Sequence, residues 1–224
     1  AYMIAGPSAS GQTFELLQFN DKHSSTNPVT GNALTPTPFY SNSIGLSTSE
    51  GSALPYLDLS RVFVLTSADT CSASEAIMNG LRGIDVEVIQ IGGTTCGKPY
   101  GFYGLDNCGT TYFSIQFKGV NAKGYGDYSD GFSPVNTAAV EGEPLPGCLV
   151  SDDYEHALGD ASEAMLSAAL NYRSTSGSCP ALPVAQGEMR NARPTSATPI
   201  GEVPLSTMQR PNVPGRVALE RVKH

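Results

Sequence analysis

The chain has no tryptophan, only 3 histidines, and a small share of charged residues, 15%. So few histidines leave little material for a Ser-His-Asp triad, and none of the five cysteines stands in a C-x-x-C zinc pattern. Positive charge is also scarce: 13 Lys+Arg against 21 Asp+Glu give a net charge of -8. Binding to phosphate backbones is driven by clustered Lys and Arg, so nucleic acid is not an expected partner. No apolar run approaches the ~20 residues of a membrane-spanning helix, so no membrane span is expected in this segment. An initiator methionine is missing too, and Ala1-Tyr-Met-Ile-Ala5 is too short for a secretion signal, so the chain reads as a piece of a longer protein.

What is present suits a folded body with an extension. The 224 residues are 40% hydrophobic, enough for a sizeable core. Residues 180–224 hold six basic residues, three acidic ones and seven of the 16 prolines, whereas residues 1–179 carry 7 Lys+Arg and 18 Asp+Glu. Such a proline-punctuated stretch buries too little apolar surface to offset its ordering entropy. The expected organisation is therefore a domain over residues 1–179 and a basic, disordered C-terminal tail over 180–224. Residues 21–55, with breakers at Pro28, Pro36, Pro38 and Pro55, read as a long loop after a strand at 12–20.

The informative region begins at Val62-Phe-Val-Leu-Thr66, a β-branched apolar run that predicts a strand buried on both faces. Helical spacing follows, with Ala73, Ala76, Ile77, Gly80 and Leu81 on or near one face, and then Val86-Glu-Val-Ile-Gln-Ile91 reads as a second strand. Strand, helix, strand within about 30 residues is a βαβ unit, whose two strands are parallel. Residues 110–117 read as a further strand and 160–173 as an amphipathic helix with a small-residue face. The fold class is α/β, a βαβ-containing mixed sheet with packed helices.

In a βαβ unit the loops leaving both strands meet at one carboxyl edge. Topology thus brings Ser72, at the helix start, to the same edge as Lys98, 26 positions on. A serine hydroxyl becomes a nucleophile when a base takes its proton, and a lysine neutralised by burial can be that base. The backbone N–H of Ala73 would point where an oxyanion forms. The plainer reading of Ser72-x-x-Glu75 is a capping box. Gly92-Gly-Thr-Thr-Cys-Gly-Lys98 departs from a phosphate loop because Pro99 follows the lysine and only three residues separate Gly93 from Gly97.

These segments together, Val62-Phe-Val-Leu-Thr-Ser67, Ser72-Ala-Ser-Glu75 and Ile91-Gly-Gly-Thr-Thr-Cys-Gly-Lys98, resemble the carboxyl-terminal processing (tail-specific) peptidase family. The similarity runs from about Ile4 to Leu170, through Gly124-Tyr-Gly-Asp127 and Gly131-Phe-Ser-Pro134. Gly93 stands where many members have Glu. The resemblance implies a crotonase/ClpP-like peptidase core, here incomplete. It implies Ser72 as nucleophile, Lys98 as general base, a polypeptide substrate cleaved near its C-terminus, and no metal or cofactor. Members carry a PDZ domain and an Asn-x-Gly-Gly segment upstream, the latter giving a second oxyanion donor, and neither occurs in these residues. A non-catalytic peptide- or ligand-binding module of the same fold is the alternative.

Five cysteines exceed what most reduced cytosolic domains use, which with the resemblance places the protein in the periplasm or outside the cell. Cys96 and Cys108 flank Lys98 and are expected to staple its loop. Cys148 and Cys179 bracket the last helix and are expected to pin it, leaving Cys71 unpaired. Asp152, Asp153, Glu155 and His156 form the one carboxylate/histidine cluster, and lie where acidic residues cap a helix rather than hold a metal.

Overall fold

The structure, a computed structural model, describes residues 1–45, 48–136 and 142–180. The expected tail, apart from Pro180, lies outside the described residues. In chain order the elements are α1 (Tyr2–Ala5), β1 (Thr13–Gln18), β2 (Thr37–Pro38), β3 (Arg61–Thr66), α2 (Ala73–Gly83), β4 (Glu87–Gly92), β5 (Tyr100–Gly101), β6 (Gly104–Asn107), β7 (Thr110–Phe113), β8 (Phe117–Val120), β9 (Phe132–Pro134), β10 (Glu143–Leu145), β11 (Gly147–Cys148) and α3 (Ala164–Ser174). Among the described residues no helix is long and apolar enough to cross a membrane.

β3, α2 and β4 form the βαβ unit, its strands parallel in the register Val62 to Val88 and Val64 to Gln90. β11 adds to the other side of β4, giving a parallel sheet in the order β11-β4-β3. The strand buried on both faces is thus the central β4. The residues expected to be buried this way, 62–66, form the edge strand β3, whose Leu65 is 40% exposed.

Alternation along β4 sends side chains into two cores. Val88 packs with Met78, Leu81 and Phe132 beneath α2, while Ile89 and Ile91 pack with Met165, Ala168 and Ala169 of α3 on the opposite face. Burial of each such large apolar side chain contributes roughly 1.5–3 kcal/mol. The helix face pointing into the core matches the expected one only at Gly80 and Leu81. Glu75, Met78, Asn79 and Leu81 are buried, whereas Ile77 is 37% exposed.

A second, antiparallel sheet has the order β2-β1-β8-β5. It lies beside α2, where Phe14 of β1 packs edge-on against Phe39 and joins the core that holds Met78 and Leu81. The single strand expected over 110–117 is divided: β7 closes a hairpin with β6, and β8 begins at Phe117 and crosses to β1. The final helix starts at Ala164 rather than at position 160, because Glu163 caps it by accepting from the N–H groups of Met165 and Leu166.

Candidate active site

The turn between β3 and α2 places Ser72 at the N-cap with φ 55° and ψ -107°, a left-handed conformation that a non-glycine residue adopts at a cost of order 1–3 kcal/mol. Ser72 and Glu75 form the capping box of α2, the Glu75 carboxylate accepting from the Ser72 N–H, and Ser72 is exposed. Among the described residues the Ala73 N–H has no hydrogen-bond acceptor, so it remains free to meet an oxyanion.

The loop leaving β4 is pinned along its length. Gly93 N–H donates to Thr66 O at 2.9 Å, Thr95 N–H to Phe132 O at 3.0 Å, and Cys96 N–H to Thr70 O at 3.0 Å. The last two residues of the loop are held by Glu75. Its Oε1 accepts from Thr95 Oγ1 at 2.6 Å and Gly97 N at 2.8 Å, and its Oε2 from Ser72 N at 2.9 Å and Lys98 N at 2.8 Å. Glu75 is fully buried, at 0% exposure, and three of its four donors are backbone N–H groups, which suits a carboxylate. The sequence marks Glu75 as a cap; its grip on the lysine loop comes from donors 20 and more positions later and has no local signal.

Ser72 and Lys98 line one cavity of about 420 Å³. Phe14, Leu17, Ala76, Ile77 and Phe117 form most of its apolar wall, with Glu15, Tyr128 and the Pro99–Gly101 segment completing it. Ala73, Ala76 and Ile77, three of the residues expected on or near one helix face, line this cavity together. Lys98 is exposed, and among the described residues no hydrogen bond joins its Nζ to Ser72 Oγ. Tyr128 lies buried at the cavity wall, and its phenol pKa is pushed up first by burial, then by the charges of Glu15 and Glu75.

The disulfides correct the expected pairing around Lys98. Cys96 joins Cys71, across a Cα separation of 5.3 Å, and Cys108 carries a free, exposed thiol. The physical reason is that parallel β3 and β4 deliver both Cys71 and Cys96 to the same edge, whereas Cys108 sits at the tip of the β6–β7 hairpin with φ 48°. The crosslink therefore ties the residue before Ser72 to the loop bearing Lys98. Cys148 and Cys179 are joined, with Cα atoms 5.5 Å apart.

The acidic cluster serves α3 from a distance. Asp153 Oδ2 accepts from the Ala164 N–H at 3.2 Å and contacts His156 Nδ1 at 2.8 Å. The Glu155 N–H and then His156 hold the Asp153 carboxyl below its ordinary pKa, and the hydrogen bond to Asp153 raises that of His156.

No family model matches the chain, and no curated protein does. Among solved structures, it resembles the crystal structure described as "Putative S41 protease from Bacteroides fragilis", with a TM-score of 0.53 and 21% identity. The match covers 79% of this chain and 40% of that one, so the chain spans well under half the length of that relative. Likeness at this level is one of fold: the mixed α/β arrangement with several small sheets and few helices is shared with that structure.

Proposed function

We propose that the chain carries the nucleophile and general base of a serine peptidase of the carboxyl-terminal processing type, on a crotonase/ClpP-like core. The observation that carries this reading is the shared cavity. Ser72 reaches it from a strained helix-capping turn and Lys98 from a loop locked to that turn by Glu75 and by the Cys71–Cys96 bond.

In this reading Ser72 Oγ attacks the scissile carbonyl of a polypeptide, near its C-terminus, while neutral Lys98 Nζ accepts the hydroxyl proton. The Ala73 N–H, with a second donor from outside these residues, stabilises the oxyanion. Collapse expels the amine, which takes the proton from Lys98, and water then releases the acyl group from Ser72 by the same proton path. Lysine acts as a base when desolvated. Lys98 is exposed on the cavity wall, and a substrate that fills the cavity strips its water. No metal or cofactor takes part. An upstream PDZ-type region completes the peptide groove in the whole protein, and two disulfides fit an oxidising periplasmic or extracellular home.

Ser72→Ala and Lys98→Ala are each expected to lower peptide hydrolysis by at least about 10³-fold, the scale on which nucleophile and base are lost. Turnover unchanged in either variant overturns the dyad. The exposure of Lys98 and the missing Oγ–Nζ hydrogen bond favour a second reading, a peptide-binding module without catalysis. Its signature is peptide binding by the wild-type protein with no turnover.

A further inference from the structure

The cavity beside Ser72 holds one carboxylate that the proposed chemistry does not use. Glu15 projects from β1 and lies half-buried against β8, where Gly119 makes room for it: a Cβ at Gly119 would fall 2.0 Å from Glu15 Oε1. The ion pairs among the described residues, Arg82–Glu143, Lys118–Asp127, Lys123–Asp85 and His156–Asp153, leave Glu15 out. Lys118, the neighbour of Gly119 on β8, is thus engaged elsewhere. Burial pushes the Glu15 carboxyl above its ordinary pKa, and Lys98, the one cation on the same cavity wall, makes no ion pair with it. A partly desolvated carboxylate without a partner is costly, and the cost is relieved by a ligand that brings the missing charge.

Resting on the peptidase reading, we propose that this cavity receives the substrate side chain next to the scissile bond and that Glu15 selects a cationic one, lysine or arginine. The apolar walls from Phe14, Leu17, Ile77 and Phe117 match the methylene stem of such a side chain, and Glu15 matches its head. A purely apolar side chain would fill the same walls but bury the carboxylate further. The charge of the whole body agrees: residues 1–179, with 7 basic against 18 acidic residues, draw in cationic peptides.

The test uses peptides identical except for lysine, arginine, glutamine or norleucine at the residue entering the cavity. Binding is measured by calorimetry on the full chain carrying Ser72→Ala, so that preference is read without cleavage. Lysine and arginine peptides are expected to bind at least about tenfold tighter than the norleucine peptide, in line with coupling across a partly buried charge pair. Glu15→Gln is expected to bring that ratio within about threefold, while Glu15→Asp, which keeps the charge, retains a preference for the cations. Equal or tighter binding of norleucine, a preference that survives Glu15→Gln, or binding of none of the peptides overturns the proposal. Failure of the peptidase reading is distinct: Ser72→Ala would then leave hydrolysis unchanged whatever the side-chain preference.

Discussion

Glu75 satisfies four donors with two oxygens, and the donors belong to both loops of the proposed dyad. Glu75→Gln replaces one acceptor oxygen by an NH₂ group that must face backbone N–H groups. Two buried donors then lose their acceptor, at roughly 1–3 kcal/mol each. The expected outcome is a loss of about 2–4 kcal/mol in urea unfolding, against less than about 0.5 kcal/mol for the exposed control Glu155→Gln. A Glu75 variant as stable as that control would show that the carboxylate does not hold the lysine loop. At this scale the dyad candidates were legible because a serine before a helical pattern and a lysine after a strand have local signatures. Glu15 was not. A glutamate in an alternating strand carries no sign of which cavity wall it joins, and only the crossing of β8 over β1 sets that.

Among the elements, the lysine loop depends most on a single backbone position. Gly97 has φ +77°, and a Cβ there would stand 2.1 Å from Ser129 O, a main-chain atom that cannot swing away. Gly97→Ala must therefore shift either the loop or the 129–131 turn. The left-handed conformation alone costs an alanine roughly 1–2 kcal/mol, and the clash adds to this. The variant is expected to unfold several degrees lower than wild type and to lose peptide hydrolysis, since Lys98 is the next residue; thermal melts and peptide assays read the two effects separately. Element boundaries inside the βαβ unit followed from local pattern: a β-branched run, a cap, a helical period and a second run. Burial did not. Which strand is central depends on β11, a two-residue partner far along the chain, and the exposed face of α2 depends on a cavity that the β1–β8 sheet builds. The split of 110–117 into β7 and β8 likewise reflects a long-range choice, in which Phe117 pairs across to β5 instead of extending the hairpin.

Across the whole molecule, the two crosslinks divide the work of holding the fold. Cys148–Cys179 fastens the end of α3 to the sheet through β11, and Cys71–Cys96 closes the carboxyl edge where Ser72 and Lys98 meet. Both close loops of moderate length, 25 and 31 residues apart, worth about 3–4 kcal/mol each in the chain-entropy account. Spacing along the chain pointed to Cys108 as the partner of Cys96 because the two flank the lysine. Proximity in sequence lost to the parallel register that stacks residue 71 beside residue 96. All five cysteines are among the described residues, so thiol titration checks the pairing directly. The denatured, unreduced protein is expected to show one reactive thiol, that of Cys108, and five after reduction. Cys108→Ser is expected to abolish the single thiol and to change stability by less than about 0.5 kcal/mol, as for other exposed positions. Cys71→Ala with Cys96→Ala is expected to cost about 3–4 kcal/mol and to weaken hydrolysis, because only hydrogen bonds, those of Glu75 and the Cys96 N–H to Thr70 O bond among them, then tie the two loops. If a single thiol is found in wild type but it maps to Cys71, the hairpin rather than the strand edges closes the loop, and the shared-edge geometry on which the dyad rests fails with it.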